Sequence, residues 1–234
     1  VASGVTAPTL APAPPVEVVA ERLAALRRRI EAGGGDPAAV TVVAVTKGFD
    51  AGAVRAALAV GLDAVGENYA AELLDKAAAL GAGGGGAPSW HFLGALQRNK
   101  IGALAPVVSC WQSLARAVEG EAIARRAPGA PVFVEVTMAG LPGRPGVPAA
   151  GAPALVGELR GLGLDVRGLM TVGPPGPPEA AREWFGELAA LAADLGLAEL
   201  SMGMSDDVEV AVSQGATMVR VGRALFGPRP ARAS

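Results

Sequence analysis

Lys47 stands at the end of the apolar run Thr41-Val42-Val43-Ala44-Val45-Thr46, where an amine could attack a carbonyl. Lysine is costly to bury, because its ammonium loses hydration unless it is paired or neutralised. Where a buried strand surfaces, it can instead present an amine of lowered pKa to a pocket, and only the neutral amine forms a Schiff base. The competing reading is a solvated lysine that merely marks the strand end. A second stretch, Ser201-Met202-Gly203-Met204-Ser205-Asp206-Asp207, offers hydroxyls, backbone N–H groups and a close-approach glycine, which suit a phosphate. Ser205 is expected to N-cap the following helix, with Asp206 and Asp207 complementing its dipole. Two carboxylates beside a phosphate would repel it, so both are expected to face solvent. Gly222 would supply the other half of such a site. His91 is the sole histidine, which excludes a multi-histidine metal site, and it is read as a structural hydrogen-bonding group within Trp90-His91-Phe92.

These residues need elements to hold them. Alternating strand and helix patterns place strands over 41–47, 64–66, 90–93, 107–111, 131–137, 166–172, 200–203 and 217–221. Helices are expected over 51–60, 69–80, 97–104, 114–127, 152–162, 181–195 and 206–214. A further N-terminal helix is expected over 16–32, with Val16, Val19, Leu23, Leu26 and Ile30 on one face. Val1 to Pro15, with four prolines, reads as a disordered tail, and residues 16–230 as one domain. The glycine-rich 81–87 stretch lacks the Gly-Lys-Ser/Thr ending of a phosphate cradle and reads as a linker. The Gly- and Pro-rich exit loop 138–151 is long enough to suggest function. Eight strand–helix units favour a closed α/β (β/α)8 TIM-type barrel, with active groups at the strand C-termini and phosphate commonly bound by the loops after strands seven and eight. An open doubly wound sheet lacks its glycine fingerprint here.

Composition narrows the function classes. Of 20 basic residues only Lys47, Lys76 and Lys100 are lysines, and a net charge of −2 with interspersed signs gives no footprint for nucleic acid or anionic membrane. The single Cys110 permits no intrachain disulfide and suits a reducing compartment. No apolar stretch approaches a membrane span, and the opening segment lacks the pattern of a signal peptide. A cytoplasmic protein is expected.

Several blocks together resemble one family. They are Val43-Ala44-Val45-Thr46-Lys47, Gly66-Glu67-Asn68-Tyr69, Trp90 to Gly94 with Leu96 to Lys100, Arg167 to Thr171, Leu200 to Asp207, and Thr217 to Gly222 with Leu225-Phe226-Gly227. In order, these are similar to the pyridoxal phosphate homeostasis proteins, whose fold resembles the barrel domain of alanine racemase. The resemblance implies that Lys47 holds pyridoxal 5'-phosphate as an internal aldimine. It also implies that Ser201, Met202, Ser205 and Gly222 surround the phosphate, that Arg220 approaches the pyridine nitrogen, and that Asn68 belongs to the same face. An arginine there discourages ring protonation, and an unprotonated ring is a weak electron sink.

The implied role is a carrier and regulator of vitamin B6 pools without a settled catalytic reaction, with pyridoxal phosphate-dependent apo-enzymes as recipients. The alternative is an amino-acid racemase-like enzyme, which would need a second acid/base, and Tyr69 is the only tyrosine. A third reading, a pyridoxal-free barrel acting on sugar phosphates, would leave Lys47 as an aldolase-type amine. A monomer is expected. The sequence departs from the family pattern at Phe49, where a second lysine is frequent, at Thr137, where asparagine is usual, and at Arg223, which replaces a small residue beside the phosphate.

Overall fold

Thr41–Val45 forms β1, and from Val42 onward every residue is buried, as a strand covered on both faces requires. The computed structural model describes residues 10–81, 86–138 and 145–228. Around β1 run β2 (Ala64–Glu67), β3 (Ser89–Phe92), β4 (Val108–Leu114), β5 (Pro131–Thr137), a two-residue β6 (Val147–Pro148), β7 (Asp165–Met170), β8 (Glu199–Ser201) and β9 (Met218–Val221). The strand order β4-β3-β2-β1-β9-β8-β7-β5 is closed by a β4–β5 pairing, and the ladders are parallel. This is the expected eight-stranded barrel. β6 lies beside the C-terminal end of β5 and outside the ring.

The helices are α1 (Val16–Ala32), α2 (Ala51–Ala59), α3 (Ala70–Gly81), α4 (Arg98–Leu104), α5 (Ala117–Ala124), α6 (Ala152–Gly161), α7 (Arg182–Asp194), α8 (Val208–Ser213) and α9 (Arg223–Phe226). α1 packs on α8, α9 and α2, which is the place the helix after the last strand takes in such a barrel. Val19, Leu23, Leu26 and Ile30 are its buried face, whereas Val16, expected with them, is 39% exposed.

Two apolar cores follow from the strand alternation. Val43, Ala64, Cys110, Phe133, Met170 and Met218 fill the barrel interior, and the larger cluster lies between strands and helices. Two residues beyond Cys110, Phe133 and Met218, on the same face of each strand, stand Gln112, Glu135 and Arg220. The interior thus changes from apolar to polar towards the C-terminal ends.

Some boundaries differ from expectation for identifiable reasons. β4 runs on to Leu114 because Gln112 and Ser113 are buried with their polar atoms bonded inside, so α5 starts three residues later than the pattern predicts. β1 stops at Val45, since Thr46 to Phe49 close a turn through the Phe49 N–H and the Thr46 carbonyl. Within the stretch read as tail, Ala11 bridges to Phe49, donating to the Gly48 carbonyl at 3.0 Å and accepting from the Asp50 N–H at 2.8 Å. Residues 1–9 of that stretch lie outside the described residues, as do 82–85 of the glycine-rich linker and 139–144 of the exit loop. Among the described residues no helix is long and apolar enough to cross a membrane.

Candidate functional site

The C-terminal ends of the strands open into a cavity of about 740 Å³. Lys47 after β1, Asn68 after β2, Glu135 on β5, Ser205 after β8, and Arg220 with Gly222 at the end of β9 all line it. Val45, Phe49, Met170 and Val172 supply apolar wall. Of the residues named from sequence, the structure therefore brings Lys47, Asn68, Ser205, Arg220 and Gly222 to one cavity. Ser201 and Met202 are fully buried and do not line it. The Met202 N–H donates to the Met218 carbonyl, and its side chain joins the outer core.

Ser201 acts on the cavity indirectly. The Arg220 guanidinium donates to the Ser201 carbonyl at 2.6 Å, to Ser201 Oγ at 2.8 Å and to the Thr171 carbonyl at 2.7 Å. Ser201 Oγ in turn donates to Gln112 Oε1 at 2.6 Å, and Gln112 Nε2 donates to His91 Nδ1 at 2.7 Å. One hydrogen-bonded chain thus crosses the interior from β3 to β9 and fixes the arginine. Burial pulls the Arg220 pKa down to about 10, with Glu135 and Asp207 opposing, so it stays charged at neutral pH. Burial also lowers His91 to about 4, leaving it a neutral acceptor, which agrees with the structural role expected for it.

The phosphate-like loop differs from expectation in two ways. Ser205 does not cap α8; Asp207 occupies the N-cap position, and Ser205 Oγ accepts from the Ala224 N–H at 3.1 Å across the cavity mouth. Asp207 does not face solvent: it is 8% exposed, and its Oδ1 accepts from the Met204 N–H at 2.6 Å. Only Asp206 is outward, paired with the exposed Arg223 guanidinium at the rim. The Arg223 side chain thus pairs with Asp206 while facing solvent.

Glu135 is the member that sequence reasoning missed. It is 6% exposed, and burial pushes its carboxyl up to about 7 despite the nearby Arg220 charge. The sequence signal was an acid within the apolar run Pro131 to Thr137, two residues after Phe133. Asn68 carries a different mark: its Oδ1 is buried without a hydrogen-bond partner among the described residues, while Nδ2 donates to the Leu93 carbonyl at 3.4 Å. Gly222 passes so close to β1 that a Cβ would stand 3.0 Å from the Val45 carbonyl oxygen. Among the described residues no cluster of His, Cys, Asp and Glu could hold a metal ion.

Comparison with known proteins places this geometry. The alanine racemase N-terminal domain family matches residues 17–230. A pyridoxal phosphate homeostasis protein of Pseudomonas aeruginosa is 40% identical over 222 residues, covering 91% of this chain and 95% of the relative. One from Deinococcus radiodurans is 41% identical over 208 residues, covering 87% and 97%. The structure of PipY from Synechococcus elongatus with PLP bound is 33% identical and superposes with a TM-score of 0.78 over 89% of this chain and 100% of its own. The chain belongs to the alanine racemase N-terminal domain family and, within it, to the pyridoxal phosphate homeostasis proteins.

Proposed function

We propose that this protein binds pyridoxal 5'-phosphate in the strand-end cavity and serves in intracellular vitamin B6 homeostasis, holding the cofactor on Lys47 for storage or delivery to apo-enzymes. The observation that carries the reading is the convergence of Lys47, Arg220 and the orphaned Asn68 Oδ1 on one cavity. The residues present fit the group. Lys47 supplies an amine for an aldehyde, and Arg220 a fixed cation for a ring nitrogen that must stay unprotonated. Asn68 Oδ1 is an acceptor lacking a donor. Ser205, its hydroxyl proton still available, and Gly222 flank the phosphate end, with Met202 and Ser201 supporting from behind. When bound, the cofactor supplies an electron sink, which Arg220 weakens by discouraging ring protonation. That favours holding over carbanion chemistry.

A cytoplasmic monomer completes the reading. Its support is that, among the described residues, few large apolar side chains are exposed: Val16, Tyr69, Val118, Leu162 and Met204. Sedimentation velocity should give one species of the chain's own mass, and a stable dimer would overturn this part.

The site is tested by absorbance with added pyridoxal phosphate, before and after borohydride, in wild type and Lys47→Ala. A long-wavelength band that reduction fixes on the Lys47 peptide, and that the variant lacks, is expected. An equal band in the variant would sink the assignment of Lys47.

A further inference from the structure

Of the three lysines, Lys76 alone is buried, at 2% exposure, and it lies directly behind the turn that carries Lys47. Its ammonium donates to Glu67 Oε1 at 2.5 Å and to the Thr46 carbonyl at 2.8 Å, and it stands 3.7 Å from Glu72 Oε2. Thr46 Oγ1 donates to the same Glu67 oxygen at 2.6 Å. On the other side of Lys47, the Gly48 N–H donates to Glu72 Oε2 at 2.8 Å. Gly48 has φ +83, a conformation that L side chains rarely adopt, so the turn is specified there too. Both neighbours of Lys47 are thus pinned by three side chains from β2 and α3, none of which lines the cavity.

A buried ion pair is weak evidence for stability, since apolar replacements of equal volume are often neutral or better. What this one supplies is geometry, because charged, directional bonds fix where a backbone lies. The geometry points to Glu67, Glu72 and Lys76 as a clamp that aims the Lys47 amine into the cavity, making them positioning residues for capture of the cofactor's aldehyde. The inference rests on the reading of Lys47 given above. In that capture the neutral Lys47 amine adds to the aldehyde carbon, and the carbonyl oxygen leaves as water with both amine protons. The new C=N bond forms only along a narrow approach, and a displacement of about 1 Å is worth on the order of 100-fold in rate.

The test compares wild type with the double variant Glu67→Gln/Lys76→Met, which removes one charge of each sign and keeps the Gly48 N–H bond to Glu72, and with Thr46→Val, which removes only one side-chain bond. Two probes are used: pyridoxal phosphate, and 4'-deoxypyridoxine 5'-phosphate, which fills the same cavity but has no aldehyde. In the double variant the rate of band formation and the borohydride-trapped yield on the Lys47 peptide should fall by about 10- to 100-fold. Affinity for the aldehyde-free analogue and the thermal midpoint without ligand should hold. Thr46→Val should show a smaller fall of the same kind. Capture as fast as wild type in the double variant would overturn the clamp. So would parallel loss of capture and analogue affinity, which is what general structural damage produces. Wild type that binds the analogue but never traps on Lys47 would overturn the reading of Lys47 and the clamp with it.

Discussion

Glu135 shows what a single residue's surroundings decide. Its carboxyl is lifted from 4.5 to about 7, first by burial, with the Arg220 charge opposing. The folded state therefore holds this proton more tightly than the unfolded chain does. Stability linked to it is complete below about pH 4.5 and is lost as pH rises through about 7, after which the loss is constant. Glu135→Gln imitates the protonated form. The ligand-free variant should match wild type at pH 4.5 and exceed it at pH 8 by about 1–3 kcal/mol, read from denaturant unfolding at the two pH values. An equal gap at both would show that the carboxyl is not buried with its proton. The same residue marks the limit of sequence reading. Lys47 was legible because a lysine is out of place where a buried strand ends, and Arg220 through the family motif. Glu135 was hidden because an acid within an apolar strand cannot be assigned a face until the barrel closes. Ser201 was placed correctly in sequence and one layer away in space: it meets Arg220, and Arg220 meets the cavity.

At the scale of elements, hydrophobic period located strands and helices well where side chains had to choose between core and solvent. It failed where polar side chains are satisfied inside. Gln112 and Ser113 look like the end of a strand, yet both are buried and bonded, to His91, Ser201 and the Gly94 carbonyl. The loop from β8 to α8 shows a related difficulty. Ser205 has the side chain of a cap, but Asp207 takes the N-cap position and turns its Oδ1 back to the Met204 N–H. That frees Ser205 to bond Ala224 and face the cavity. Local capping preference and long-range bonding compete for the same hydroxyl, and only the second is invisible in the sequence. The contact of Ala11 with the turn around Lys47 is of the same kind. Its two hydrogen bonds are backbone groups, and no side-chain pattern announces them.

For the whole molecule, the telling feature is that the ring of helices is completed from the wrong end of the chain. Among the described residues β9 is followed by the four-residue α9, and α1 packs against α8, α9 and α2 in the open place. Arg29 ties it there, forking onto Glu209 at 2.5 and 2.6 Å and donating to the Ser205 carbonyl at 2.7 Å. These groups are about a third exposed, so the fork is worth at most about 1 kcal/mol and serves alignment more than stability. The apolar face decides. Val19, Leu23, Leu26 and Ile30 are each 0–2% exposed, and burying four such side chains contributes roughly 6–12 kcal/mol. That is comparable to the whole stability of an ordinary domain, about 5–15 kcal/mol. Removing residues 1–33 should therefore abolish cooperative folding of the barrel, although no strand is touched. Leu26→Ala should lower stability by about 2–5 kcal/mol while leaving the fold intact, as measured by denaturant unfolding. Arg29→Ala should cost about 1 kcal/mol or less on the same scale. If the truncated chain unfolded cooperatively with near-native stability, α1 would be an accessory laid against a barrel complete without it. The contacts with α8 and α9 predict the opposite, because the surface α1 covers is the same apolar layer that every other barrel strand buries under the helix that follows it.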